Sequence, residues 1–140
     1  MIKYIGVEVY MDINVLALAY IGDSIYEVYI RDYLIHQKIV KVNELQKQAI
    51  QYVSAKNQAK FLKEMLDQNM FTEEEMDILK RARNHKSHSN KTTDILTYKH
   101  STALEALIGY LYFKNNQPRI REIMEYITKG GISCMCMEKM

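Results

Sequence analysis

Leu104-Glu105-Ala106-Leu107-Ile108-Gly109-Tyr110-Leu111-Tyr112 is the stretch on which the fold turns. Leu104, Leu107, Ile108, Leu111 and Tyr112 recur at the i, i+3, i+4, i+7, i+8 spacing of a helix face turned towards a core. Glu105 and Gly109 interrupt an otherwise apolar run. The helical period continues outward on both sides. Upstream, Ile25, Val28, Tyr29 and Ile35 follow Gly22-Asp23 at helical spacing, which predicts a helix starting near Asp23 with Tyr26, Tyr29 and Tyr33 along one side. Asn43 and Ser54 are expected N-caps of two more helices, the second burying Ala59, Leu62 and Leu66. Thr72 with Glu75 forms a capping box for a helix through about Arg83. Downstream, Pro118 suits the first position of a last helix whose stripe is Ile120, Ile123, Met124 and Ile127, with Gly130 and Gly131 as its stop. The period dominates from about Asn14, and no Gly or Pro cluster divides the chain. The expected architecture is one all-α bundle of about six to eight helices. It comprises an N-terminal arm over 1–12, the helical body over 13–129 and a tail over 130–140.

The 140 residues, 48% of them hydrophobic, are enough to build one core. The longest apolar runs, Val15 to Ile21 and Ala106 to Phe113, fall short of the roughly 20 residues that span a bilayer. No membrane span is expected. Glu8 and Asp12 break the apolar residues of the N-terminus, so no signal-like leader is read there and a cytoplasmic location is expected. Cys134 and Cys136, one residue apart, are too few for a disulfide framework and read as free thiols without an assigned role. The formal charge of +2 conceals a lopsided distribution. Between residues 80 and 100, Lys80, Arg81, Arg83, Lys86, Lys91 and Lys99 face Asp94 alone. His85, His88 and His100 fall in the same window, at a spacing that matches no zinc signature. From Asn84 to Asp94 no apolar residue occurs, which reads as a solvent-exposed loop.

Two segments stand apart from ordinary helix grammar: Ala19-Tyr20-Ile21-Gly22-Asp23-Ser24 and Glu105-Ala106-Leu107-Ile108-Gly109. Each sets a carboxylate near a glycine. A glycine lets two backbones approach closely, so a carboxylate beside it can meet its counterpart on another helix, an arrangement suited to a shared metal. Plainer alternatives stand beside this one. Thr102 to Glu105 is also a T-x-x-E capping box, and Asp23 could be a first-turn acid at a helix dipole. The tyrosine face reads as core or dimer packing rather than a base-stacking platform.

These segments resemble the ribonuclease III family, in which an L-G-D-[SA] helix and a later D-x-x-E-A-[LI]-[LI]-G helix assemble a Mg²⁺ site. Here they read Ile21-Gly22-Asp23-Ser24 and Thr102-Ala103-Leu104-Glu105-Ala106-Leu107-Ile108-Gly109. The likeness runs from Asp12 to about Ile127 and points to the short Mini-ribonuclease III branch, which lacks a separate double-stranded-RNA-binding domain. Four blocks carry that reading: Tyr20-Ile21-Gly22-Asp23 followed by Tyr26-Glu27; Tyr52-Val53-Ser54-Ala55-Lys56; Arg83-Asn84-His85-Lys86; and Glu105 to Tyr112.

The resemblance implies a ribonuclease III-like catalytic domain over 13–129. It implies a homodimer in which Tyr20 plugs into the partner subunit, and Mg²⁺, with Mn²⁺ as substitute, held by the catalytic pair Asp23 and Glu105. It further implies endonucleolytic hydrolysis of double-stranded RNA, leaving staggered ends with 5′-phosphates, and a precursor of large-subunit (23S) ribosomal RNA as substrate. Ala19 and Thr102 stand where longer members carry Glu and Asp. Two carboxylates still suit Mg²⁺, which is commonly held by one or two plus substrate phosphate. Glu27, one turn beyond Asp23, either faces the cation's water shell or pairs with Arg31. Duplex RNA is recognised through phosphates and 2′-hydroxyls, which calls for flexible donors. Arg81, Arg83, Asn84, Lys86, Ser87, Asn90 and Lys91 form that set, with Lys56 matching a position that the short branch also keeps. The rival reading is a catalytically inactive RNA-binding or ribosome-assembly scaffold of the same fold, and retention of both Asp23 and Glu105 speaks against it.

Overall fold

The apolar stretch around residue 107 is the axis of the molecule. In the computed structural model, which describes residues 13–85 and 94–129, it belongs to α5 (Ile95–Phe113), where every residue from His100 to Leu111 except half-buried Glu105 is buried. A helix apolar on all sides belongs at the centre of a bundle. Around it lie α1 (Val15–His36), α3 (Ala55–Asp67), α4 (Glu73–Arg83) and α6 (Gln117–Ile127), while α2 (Val42–Val53) packs outside on α1 and α3. Six helices and no strand are found among the described residues, in agreement with the all-α expectation. None of these helices is long and apolar enough to cross a membrane.

Local chemistry explains most boundaries. The Asn14 side chain accepts from the Leu16 amide at 2.7 Å and starts α1. Ser54 ends α2 and caps α3 through the Asn57 amide, and Thr72 with Glu75 closes the expected capping box on α4. Pro118 lies in the first turn of α6, behind an Asn116 cap. Three local readings need correction. The first helix begins at Val15 rather than near Asp23, because the backbone of α5 fills the space at Gly22 and the helix runs straight through it. Asp23 is therefore no first-turn acid. Thr102 lies in the interior of α5, so Thr102 and Glu105 do not form a cap. The second helix begins at Val42, with Lys41 at its N-cap and no side-chain bond there, in place of Asn43.

The tyrosine face is packing. Tyr26 is fully buried and donates to the Tyr52 carbonyl at 2.6 Å, Tyr33 meets the Tyr52 ring edge-on at 5.8 Å between centroids, and Tyr29 donates to Gln117 Oε1 at 2.9 Å. Arg119 ties α6 to α4: its Nε and Nη2 donate to the Glu75 carboxylate at 2.8 and 2.9 Å, and Nη2 also reaches the Met70 carbonyl at 2.6 Å. Burial pushes the Glu75 carboxyl up, but the guanidinium of Arg119 and the backbone of Thr72 outweigh it and hold it below the usual carboxylate range.

Candidate active site

Helices α1 and α5 cross glycine against backbone, twice. A Cβ built on Gly22 would lie 1.8 Å from the Glu105 carbonyl oxygen, and one on Gly109 would lie 2.0 Å from the Leu18 carbonyl oxygen. No residue with a side chain tolerates such a separation. The crossing places Asp23, next after Gly22, alongside Glu105, whose own backbone is what Gly22 touches. Asp23 is exposed and Glu105 is half-buried beneath it.

The electrostatics follow from this. Glu105 holds its proton up to about pH 9, first because burial disfavours its charge, then because the hydrogen bond and charge of Asp23 oppose ionisation, with the Gln58 amide pulling weakly the other way. Like charges in such contact oppose each other, so the half-buried Glu105 is the one that stays neutral. Among the described residues, no Lys or Arg forms an ion pair with either one. The donor set consists of two hard carboxyl groups, one open to water, with no basic side chain ion-paired to them among the described residues. That fits a small divalent cation. No third His, Cys, Asp or Glu completes a protein cage among the described residues, so water and substrate oxygens would fill the remaining positions.

Behind Glu105 lies Gln58, 1% exposed on the inner face of α3, a residue the sequence reading passed over. Its Nε2 donates to Glu105 Oε2 at 3.5 Å, and its Oε1 accepts from the Ser101 hydroxyl. A sequence signal existed. Gln58 shares the buried stripe of Ala59, Leu62 and Met65, a polar residue at a core position.

The other expected residues are distributed as follows. Glu27 pairs with Arg31 at 3.1 Å, which is the second of the two readings given for it. Lys56 is exposed in the first turn of α3, and Arg81, Arg83 and Asn84 are exposed at the C-terminal end of α4. Lys86, Ser87, Asn90 and Lys91 lie outside the described residues, as do His88, Gly130, Gly131, Cys134, Cys136 and the arm over 1–12. Tyr20 is 81% exposed on α1, three residues before Asp23.

A raised carboxyl has a stability signature. Folded protein binds the Glu105 proton more tightly than unfolded chain does, so cation-free stability falls as pH rises from the ordinary range near 4.5 towards about 9, and levels off above that. Glu105→Gln, which cannot ionise, is expected to remove most of this slope in thermal melts run in EDTA. A wild-type profile that is flat across the same window would exclude a raised Glu105 carboxyl.

The chain matches the family model described as the ribonuclease III domain over residues 16–116, a span that holds both carboxylates. It is 46% identical over 121 residues to the Mini-ribonuclease 3 of Enterococcus faecalis, covering 86% of this chain and 92% of that protein. With the Mini-ribonuclease 3 of Staphylococcus aureus the identity is 45% over 116 residues, covering 82% and 87%. A protein of Fusobacterium nucleatum solved by X-ray crystallography superposes with a TM-score of 0.75 at 35% identity, covering 85% of this chain and 94% of that one.

Proposed function

The chain belongs to the ribonuclease III family and is an endoribonuclease of the type that acts on double-stranded RNA, and from that premise we propose that it works with Mg²⁺ held by Asp23 and Glu105. The observation that carries this reading is the meeting of those two carboxylates at the glycine crossing, with no basic side chain ion-paired to either among the described residues. When bound, the cation supplies Lewis acidity to the scissile phosphate and lowers the pKa of a water. The chain does the rest. Asp23, open to solvent, would hold the cation where a phosphate can approach, and Glu105, ionised in that state, would hold its other side from the central helix.

The duplex is held by Lys56, Arg81, Arg83 and Asn84, all exposed, together with Lys86, Ser87, Asn90 and Lys91, through phosphates and 2′-hydroxyls. Tyr20 leaves most of an aromatic ring in water beside the site, and burying it against a second copy of the chain is favourable, which supports a homodimer. Mn²⁺ substitutes for Mg²⁺ because it accepts the same oxygen donors. The substrate we assign, on family membership, is a cytoplasmic precursor of large-subunit (23S) ribosomal RNA.

Purified protein incubated with long duplex RNA, and separately with its single strands, tests this. Cleavage of the duplex in Mg²⁺, its loss in EDTA and its recovery in Mn²⁺ are the expected results. A protein that binds the duplex and leaves it whole in either cation is a scaffold, and the proposal fails.

A further inference from the structure

We propose that Gln58 is a positioning residue for Glu105: a buried amide on α3, clamped by Ser101, that holds the Glu105 carboxylate towards Asp23. The proposal rests on reading Glu105 as a cation ligand. Gln58 is 1% exposed and Ser101 is 6% exposed, and both ends of the amide are engaged, Nε2 by Glu105 and Oε1 by the Ser101 hydroxyl. Chemistry fixes the orientation of the amide. A carboxylate that ligates a cation is ionised and only accepts, so Nε2 faces Glu105 in that state; Oε1 then faces Ser101, and the serine hydroxyl donates, as the hydrogen bonds found here have it. Ser101 lies one turn before Glu105 on the same helix, so carboxylate and clamp move as one body.

Packing alone does not call for an amide here. Position 58 shares a stripe with Ala59, Leu62 and Met65, where an apolar side chain would fill the space without burying polar atoms. What an apolar residue lacks is a donor for Glu105. Two carboxylates this close repel each other, and without a donor behind it a long flexible side chain would swing away from its neighbour. A Lys or Arg in place of Gln58 would hold the carboxylate but would neutralise the charge that attracts the cation. A neutral donor holds it and leaves the charge intact. Partners of this kind behind metal ligands typically change metal affinity or activity by about 10- to 100-fold when removed.

The test compares the full-length wild type with Gln58→Leu, Ser101→Ala and Glu105→Ala. Mn²⁺ binding to the RNA-free protein is followed by electron paramagnetic resonance, melting is measured in EDTA, and cleavage is measured as kcat and KM. Gln58→Leu is expected to bind Mn²⁺ about 10- to 100-fold more weakly and to lose kcat by a similar factor. That loss should be recovered at high Mg²⁺, with KM for RNA and the melting temperature in EDTA unmoved. Ser101→Ala is expected to lose less, in the same direction. Wild-type Mn²⁺ affinity in both variants, while Glu105→Ala has lost it, overturns the role of Gln58 and leaves the site reading intact. Wild-type affinity in Glu105→Ala overturns both. Should Gln58→Leu not fold, Ser101→Ala decides alone, and wild-type Mn²⁺ affinity there overturns the proposal.

Discussion

Asp23→Ala and Glu105→Ala, each made singly, are expected to lower cleavage of duplex RNA in Mg²⁺ by about a thousandfold or more, because a catalytic cation contributes several kcal/mol of transition-state stabilisation and each ~1.4 kcal/mol is tenfold in rate. The structure leaves little room for substitution between the two, since no third acidic group joins them among the described residues. Binding of RNA should survive, because the basic side chains proposed to hold the phosphates lie elsewhere, and removing a negative charge beside a phosphate raises affinity at low salt if it changes it at all. Folding should survive as well. Asp23 is exposed, and loss of the half-buried Glu105 carboxyl relieves desolvation as it removes contacts. Single-turnover cleavage, electrophoretic binding and a melt of each variant separate these effects. Near-normal cleavage by either variant would end the assignment.

The second large effect falls on residues with no functional group. Gly22→Ala or Gly109→Ala introduces a methyl within about 2 Å of a backbone carbonyl oxygen. Overpacking usually costs about 1–3 kcal/mol because side chains yield, but here the obstructing atom belongs to the main chain of the opposing helix, so about 3 kcal/mol or more is expected. The only relief is for α1 and α5 to separate, and that separation also parts Asp23 from Glu105. Either variant should therefore lose cation affinity and cleavage in the fraction that still folds, a pairing that denaturant unfolding and Mn²⁺ binding would reveal together. An alanine at either position with wild-type stability would mean that the helices do not meet there.

What the sequence disclosed, and what it did not, follows the range of each interaction. The stripe of Leu104, Leu107, Ile108 and Leu111, the Thr72–Glu75 box and the Ser54 cap are short-range patterns, and the structure forms all of them. The i, i+4 pairing of Glu27 with Arg31 is equally local. Gly22 misled because glycine is a weak helix former taken alone, while packing against α5 overrides that preference. Thr102 misled because T-x-x-E has the same spacing at a helix start and in a helix interior. Gln58 went unremarked because its partners lie 43 and 47 residues away, and the Arg119–Glu75 tie spans 44. Such pairings become visible only once the helices are assembled.

The two extremes of burial in this bundle also set how it breathes. Residues from His100 to Leu111 of α5, Glu105 apart, are enclosed, so their amides meet water only when the whole domain opens. None of the residues of α2 is fully enclosed, and among the described residues that helix packs mainly on α1 and α3, so a small fraction of the global free energy suffices to release it. The chain thus carries a rigid spindle that keeps its chemistry in register and, on its flank, a helix that can come away while the spindle holds.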